Sequence, residues 1–246
     1  MDTERLARMR RSGDDRCMRR FLIAFACLLV VPVATTSAAK PGTLNPLFKA
    51  FEFDYTSKKP DTRTGFTYEF ALKLPADGSQ PPVIDQLNIA LARGTKVDLA
   101  AIPACTADDG TITAQGAVVC PTRSRLGAGE AAIWTGPGPL LHLSVDAFST
   151  GHGVVVVLES QGTVVAVIRA VLKGTKLTVT VPPIDLGPGV QAAIVHFNLP
   201  LSGGSSRRAV FTTPRSCGSA GWRIDYRPHL AQLGRVNLAY VTKCHD

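Results

Sequence analysis

The sequence predicts an all-β, disulfide-stapled fold, a β-sandwich of Greek-key or immunoglobulin-like architecture. Three observations carry this. From Leu47 onward, apolar residues recur with period two or in short runs punctuated by Gly and Pro. Downstream of the leader, no apolar stripe at helical spacing lasts three turns. Four cysteines, Cys105, Cys120, Cys217 and Cys244, follow an export-type leader.

The leader is the first element. Arg19 and Arg20 precede an apolar run from Phe21 to Ala34, which gives way to small residues up to Ala39. That is the order of a secretory signal peptide, and the run falls short of the ~20 residues that span a bilayer. Residues 1–39 are therefore read as a signal removed after Ala38 or Ala39, leaving no stable membrane span. Asp2, Glu4, Asp14 and Asp15 lie upstream of Met18, where a signal of ordinary length opens, so translation is expected to start at Met18, with Met9 the alternative. Cys27 lies within the apolar run without a lipobox before it. Residues 40–246 are read as one β-sandwich-type domain. The alternative divides them at Gly136–Pro139 into halves, 40–135 and 140–246.

The strands follow in order. Phe48–Tyr55, Thr67–Leu74 and Ile84–Ala92 alternate, as does Leu140–Phe148. Val154–Leu158 and Val164–Ile168 are uninterrupted and rich in β-branched residues, which predicts strands covered on both faces. Leu177–Val181 stops at Pro182-Pro183, and Ala193–Leu199, Ala209–Thr213, Trp222–Arg227 and Val236–Val241 complete about ten to a dozen strands. Gly187-Pro188-Gly189 reads as a turn before Val190–Ile194, the best helical candidate, which is barely one turn long.

In an oxidising compartment the four cysteines are disulfide partners. Local pairing, Cys105 with Cys120 and Cys217 with Cys244, is preferred among the three possible connectivities. Each such bridge contributes about 3 kcal/mol by chain entropy. No Cys-x-x-Cys occurs and no His stands at ligand spacing from a cysteine pair, so no metal is assigned; His245 reads as a terminal residue. Trp222 follows Cys217 by only five residues, so the immunoglobulin Cys–Trp–Cys spacing is missing.

The blocks Cys120-Pro-Thr-Arg-Ser-Arg-Leu-Gly-Ala-Gly-Glu-Ala131 and Thr213-Pro-Arg-Ser-Cys-Gly-Ser-Ala-Gly-Trp222 resemble paired blocks in uncharacterised secreted all-β proteins of actinobacterial type. The resemblance implies export, disulfides and β-structure, and it brings no established activity.

Charge restricts the partners. The chain has 27 basic and 19 acidic residues; the leader takes 7 and 4, leaving 20 and 15. The remaining cations are scattered, with Lys58-Lys59 and Arg207-Arg208 the only adjacent pairs. That pattern points away from nucleic acid, which favours clustered charge with interleaved aromatics. It leaves weak attraction to an anionic cell envelope open.

Candidate chemistry is sparse. Asp146, Ser149 and His152 fall within seven residues, but no Gly-x-Ser-x-Gly elbow holds the serine, and the segment reads as a polar turn. Asp108 and Asp109, with Asp98 or Glu130, supply the oxygens a calcium ion wants, but two aspartates before Gly110 are ordinary turn composition. Glu52, Glu69, Glu130 and Glu159 are carboxylates for a glycosidase pair only if two face each other across a cleft. His142 and His196 alternate with apolar neighbours and are placed on the polar side. Trp134, Trp222 and Tyr226, with Tyr240, are the candidates for a sugar-stacking surface, and core packing beside the Cys217 bridge is preferred for Trp222.

The resulting expectation is an exported, non-enzymatic structural or binding protein of the cell envelope or extracellular space. Its partner is an envelope component or glycan, and no cofactor is implied. The alternatives are a carbohydrate-binding module and a secreted hydrolase whose site converges from distant loops.

Overall fold

Alternation sets the first strand. In β1 (Phe48–Tyr55), Phe48, Phe51, Phe53 and Tyr55 are buried while Lys49 and Glu52 face outward. The computed structural model describes residues 45–184, 191–202 and 210–245. The leader, with its Met18 start and cleavage site, and the turn at Gly187–Gly189 lie outside the described residues.

The remaining elements are β2 (Arg63–Thr64), β3 (Phe66–Leu72), β4 (Ile84–Ala90), β5 (Lys96–Val97), α1 (Asp109–Gln115), β6 (Arg125–Trp134), β7 (Leu141–Ser149), β8 (Gly153–Ser160), β9 (Thr163–Lys173), β10 (Lys176–Thr180), β11 (Ala193–Leu201), β12 (Phe211–Thr212), β13 (Trp222–Leu230), β14 (Gly234–Arg235) and β15 (Leu238–Thr242). The fold is all-β with two disulfides.

Twelve of the described strands form one continuous antiparallel sheet, in the order β1-β3-β11-β6-β7-β8-β9-β10-β4-β13-β14, with β15 also on β13. The expectation was two sheets packed as a sandwich; in the structure one twelve-stranded sheet curls over itself, so its two halves supply the facing layers. β6 and β7, on either side of Gly136–Pro139, pair along their length. The ends of the sheet meet through side chains. Thr242 Oγ1 on β15 donates to the Phe53 carbonyl of β1 at 3.3 Å, and Phe51 packs edge-on against Tyr240.

Curling requires close backbone approach, and β6 supplies it with glycine. A Cβ at Gly127 or Gly129 would run into the carbonyl oxygen of Pro200 or Asn198 on β11. Only a residue without a side chain lets the strands coil this tightly. The hairpin from β8 to β9 turns through Gln161 (φ 50°) and Gly162 (φ 82°), the paired left-handed residues of a type I′ turn, whose twist matches the strands it joins.

β8 is buried on both faces, as its sequence predicts. Val154, Val156 and Leu158 belong to the main core, whereas Val155 and Val157 join Phe148, Ile112 and the first disulfide in a second cluster outside the sheet. That cluster is roofed by the Cys105–Cys120 excursion. Within it, α1 is capped by Asp108, whose carboxylate accepts from the Thr111 backbone N–H at 2.8 Å. A second sheet of β2, β12 and β5 closes one end of the curled sheet.

Candidate functional site

The two halves of the curled sheet face each other through apolar side chains, and they do not meet everywhere. Between them lies a cavity of about 100 Å³. One wall comes from β1, β3 and β11, including Phe53, Tyr68, Phe70 and Phe197. The opposite wall comes from β4, β8, β9 and β10, with Leu87, Val156, Ala170 and Val179. Val97, Leu99 and Phe211 line it at the end closed by the small sheet. The lining is the inward set of each alternating strand, a direct result of period two.

The rings of the aromatic wall pack on one another. Phe53 stacks on Phe66 at 4.7 Å, Phe66 packs edge-on against Phe211 at 4.7 Å, and Phe70 lies parallel to Phe197 at 6.0 Å. Tyr68 turns its ring to the cavity while its hydroxyl donates to Tyr226 Oη at 2.8 Å. Burial pushes both hydroxyls up from the ordinary tyrosine range, and for Tyr68 the neighbouring Tyr226 adds to the effect. Both phenols therefore stay neutral at physiological pH. An apolar cavity of about 150 Å³ suffices to hold benzene and stays dry without it. The space here suits a hydrocarbon group of that order or smaller.

The residues singled out from sequence lie elsewhere. Cys105 pairs with Cys120 and Cys217 with Cys244, at Cα separations of 4.8 and 5.7 Å. Trp222 is 4% exposed, its indole N–H donating to the Ser216 carbonyl and its ring edge-on to Tyr55; Tyr226 is 0% exposed and stacked on Phe51. Neither is an exposed stacking face: Trp222 packs in the core, the placement preferred for it from sequence, and Tyr226 is corrected from a surface ligand contact to a core residue, both held inward by the alternation of β13. Trp134 is half-buried against the core beside Thr135–Gly138, and Tyr240 is half-buried at the β1 edge.

Ser149 is fully buried. Its hydroxyl donates to the Leu99 carbonyl at 2.9 Å and accepts from the Gly151 N–H at 3.0 Å. Asp146 is paired with Arg125 and His152 is exposed in the turn. The three are thus spent on separate structural contacts. Asp108 caps α1 and Asp109 binds Arg169 Nε at 2.6 Å, while Glu159 Oε1 accepts from the Ala117 N–H at 2.9 Å. Glu52, Glu69, Glu130 and Glu159 fall in one cross-strand row on the outside of the sheet, through the register Glu52–Glu69–Asn198–Glu130–Ser144–Glu159. They share a convex wall rather than facing across a cleft. His142 is exposed and His196 stands 3.8 Å from Glu69, both on this outer face.

One pairing was not anticipated: His229 Nδ1 lies 2.7 Å from Asp85 Oδ1, joining β13 to β4 on the outer surface. Neither residue carries a local sequence signal, because they meet only through the β4–β13 register. Among the described residues, no helix is long and apolar enough to cross a membrane, and no cluster of three metal-ligating side chains occurs. The chain matches no protein-family model, no curated protein and no solved structure.

Proposed function

We propose that the protein is an exported, non-catalytic binding protein that takes the hydrocarbon part of a ligand into the interior of its curled sheet. The observation that carries this reading is the cavity itself: about 100 Å³, lined by apolar side chains from both halves of the sheet. A well-packed core leaves few voids larger than a water molecule, because each costs dispersion contacts and transfer energy. A cavity of this kind retained in the middle of a sheet is accounted for by an occupant that restores those contacts. The leader and the two disulfides support action outside the cytosol.

The test is uptake of small apolar probes, benzene and hexane, by the exported, disulfide-bonded protein, followed by NMR and thermal unfolding. Saturable shifts at cavity residues and a probe-dependent rise in Tm are expected. Ala170 lines the cavity on β9, and Ala170→Ile fills the space with a strand-favouring side chain. This variant should lose probe binding while keeping or raising Tm. Absence of saturable uptake, or unchanged uptake by Ala170→Ile, overturns the reading.

A further inference from the structure

The charges of the described residues are sorted by position on the fold. The small sheet β2-β12-β5 alternates across its two faces: Thr64, Val97 and Phe211 turn inward, the latter two onto the cavity, while Arg63 and Lys96 are exposed on either side of Thr212. Exposed Arg93 and Arg215 flank the same end, where the Gly94 turn packs on Pro214. The turn from β9 to β10 reaches this end too and presents Lys173 and Lys176 as exposed cross-strand neighbours. Six cations thus surround the closed end of the cavity.

Two exposed carboxylates interrupt this rim, Asp61 and Asp98. Asp61 is bound by Lys96 at 2.8 Å. Its carboxyl is held below the ordinary aspartate range, first by that hydrogen bond, then by the Lys96 charge, with Arg215 adding to it. The outer wall has the opposite character, carrying the row of Glu52, Glu69, Glu130 and Glu159. A molecule so divided is oriented by an anionic surface: the rim is drawn in and the wall is turned away.

We propose that this basic end is the face by which the protein docks on an anionic lipid surface, with the cavity directly behind it placed to receive the acyl end of a lipid; the second clause rests on the apolar-ligand reading above. Guanidinium groups pair with phosphate in a fork, and each cation near an anionic leaflet adds to the attraction. Among the described residues the rim has no exposed aromatics interleaved with its cations, which argues against the stacking platform that single-stranded nucleic acid would use. The same small sheet presents charge outward through Arg63 and Lys96 and lines the hydrocarbon space with Val97 and Phe211.

The experiment is flotation of the exported protein with vesicles of phosphatidylcholine alone and of phosphatidylcholine with phosphatidylglycerol. Binding to the anionic vesicles should be at least about tenfold stronger and should fall at high salt. Arg63→Glu with Lys96→Glu should abolish it, and so should Arg93→Glu with Arg215→Glu, the second pair guarding against misfolding of the first. Lys49→Glu with Lys73→Glu, at the opposite end, should bind the anionic vesicles as wild type does. Equal binding to both vesicles, or anionic binding that survives both rim pairs, overturns the proposal. Vesicle binding by a protein that takes up neither benzene nor hexane supports the docking face while overturning the apolar-ligand reading; uptake without vesicle binding does the reverse.

Discussion

The Tyr68 hydroxyl donates to the Tyr226 hydroxyl at 2.8 Å, although β3 and β13 are separated by seven strands along the sheet. The bond crosses the interior and ties one half of the curled sheet to the other. Both rings are buried and lie 5.8 Å apart. Removing either hydroxyl leaves its partner buried without a hydrogen bond, which costs about 1–3 kcal/mol. Tyr68→Phe and Tyr226→Phe should each destabilise by that amount in urea unfolding. The double variant should lose less than the sum by about 1 kcal/mol, because it removes both orphaned groups together. Strict additivity would mean that the bond does not join the halves.

Burial of these phenols fixes the alkaline limit of stability. Tyr55, Tyr68 and Tyr226 all have hydroxyls shifted upward by desolvation. In the unfolded chain a tyrosine ionises near pH 10. The folded state therefore holds the protons longer, so its stability is intact below about pH 10 and falls as pH rises above it. Each such group contributes a slope of up to about 1.4 kcal/mol per pH unit in that window. Tyrosinate absorbance and circular dichroism followed together should show these three residues ionising only as the sheet unfolds. Ionisation of all three near pH 10 with the fold intact would contradict their buried placement.

Much of the sheet was legible because alternation is visible in a single chain. β1, β3, β4, β7 and β13 each show inward apolar positions two apart, and the double burial of β8 shows as an unbroken Val run. β6 was hidden, although it stands between β11 and β7 in the sheet. Its first half, Arg-Leu-Gly-Ala-Gly-Glu, has neither β-branched nor aromatic residues, and its place is set by backbone fit to β11. The seven-residue α1 was hidden too, because Ile112 is its one buried side chain and Asp108 reads equally as a cap or a turn. The cavity has no local signal at all. Its lining residues look like any core, and the gap between them depends on how the two halves of the sheet meet.

The two disulfides should separate by consequence. Each closes a loop, of 15 and 27 residues by sequence separation, and removing either should cost about 3 kcal/mol. The Cys105–Cys120 bridge also lies in the roof over Phe148, Val155 and Val157. Replacing both of its cysteines with serine should expose that cluster and add binding of an apolar dye, with the far-ultraviolet spectrum of the sheet retained. Replacing Cys217 and Cys244 should lower stability without the dye signal. Asp108→Ala, which removes the α1 cap, should weaken the same roof by about 1 kcal/mol. Dye binding that follows the second bridge rather than the first would place the loose surface elsewhere.

Gly129 offers the sharpest test of the curl. An added Cβ there would strike the Asn198 carbonyl oxygen, with the Asn198 carbon and the Leu199 Cα close behind, all backbone atoms of β11. Side chains can rotate away from an intruding methyl group; a paired backbone moves only if the strand moves. β11 also pairs with β3, so the displacement would reach Phe197, which packs against Phe70 across that pairing. Gly129→Ala should therefore cost more than the usual 0.5–3 kcal/mol of a point substitution. Ala128 is exposed on the same strand, and Ala128→Ser should stay within about 0.5 kcal/mol. Thermal unfolding of the two variants decides the matter. A neutral Gly129→Ala would mean that β6 and β11 lie further apart than the curled sheet requires, and the cavity wall carried by β11 would have to be redrawn with them.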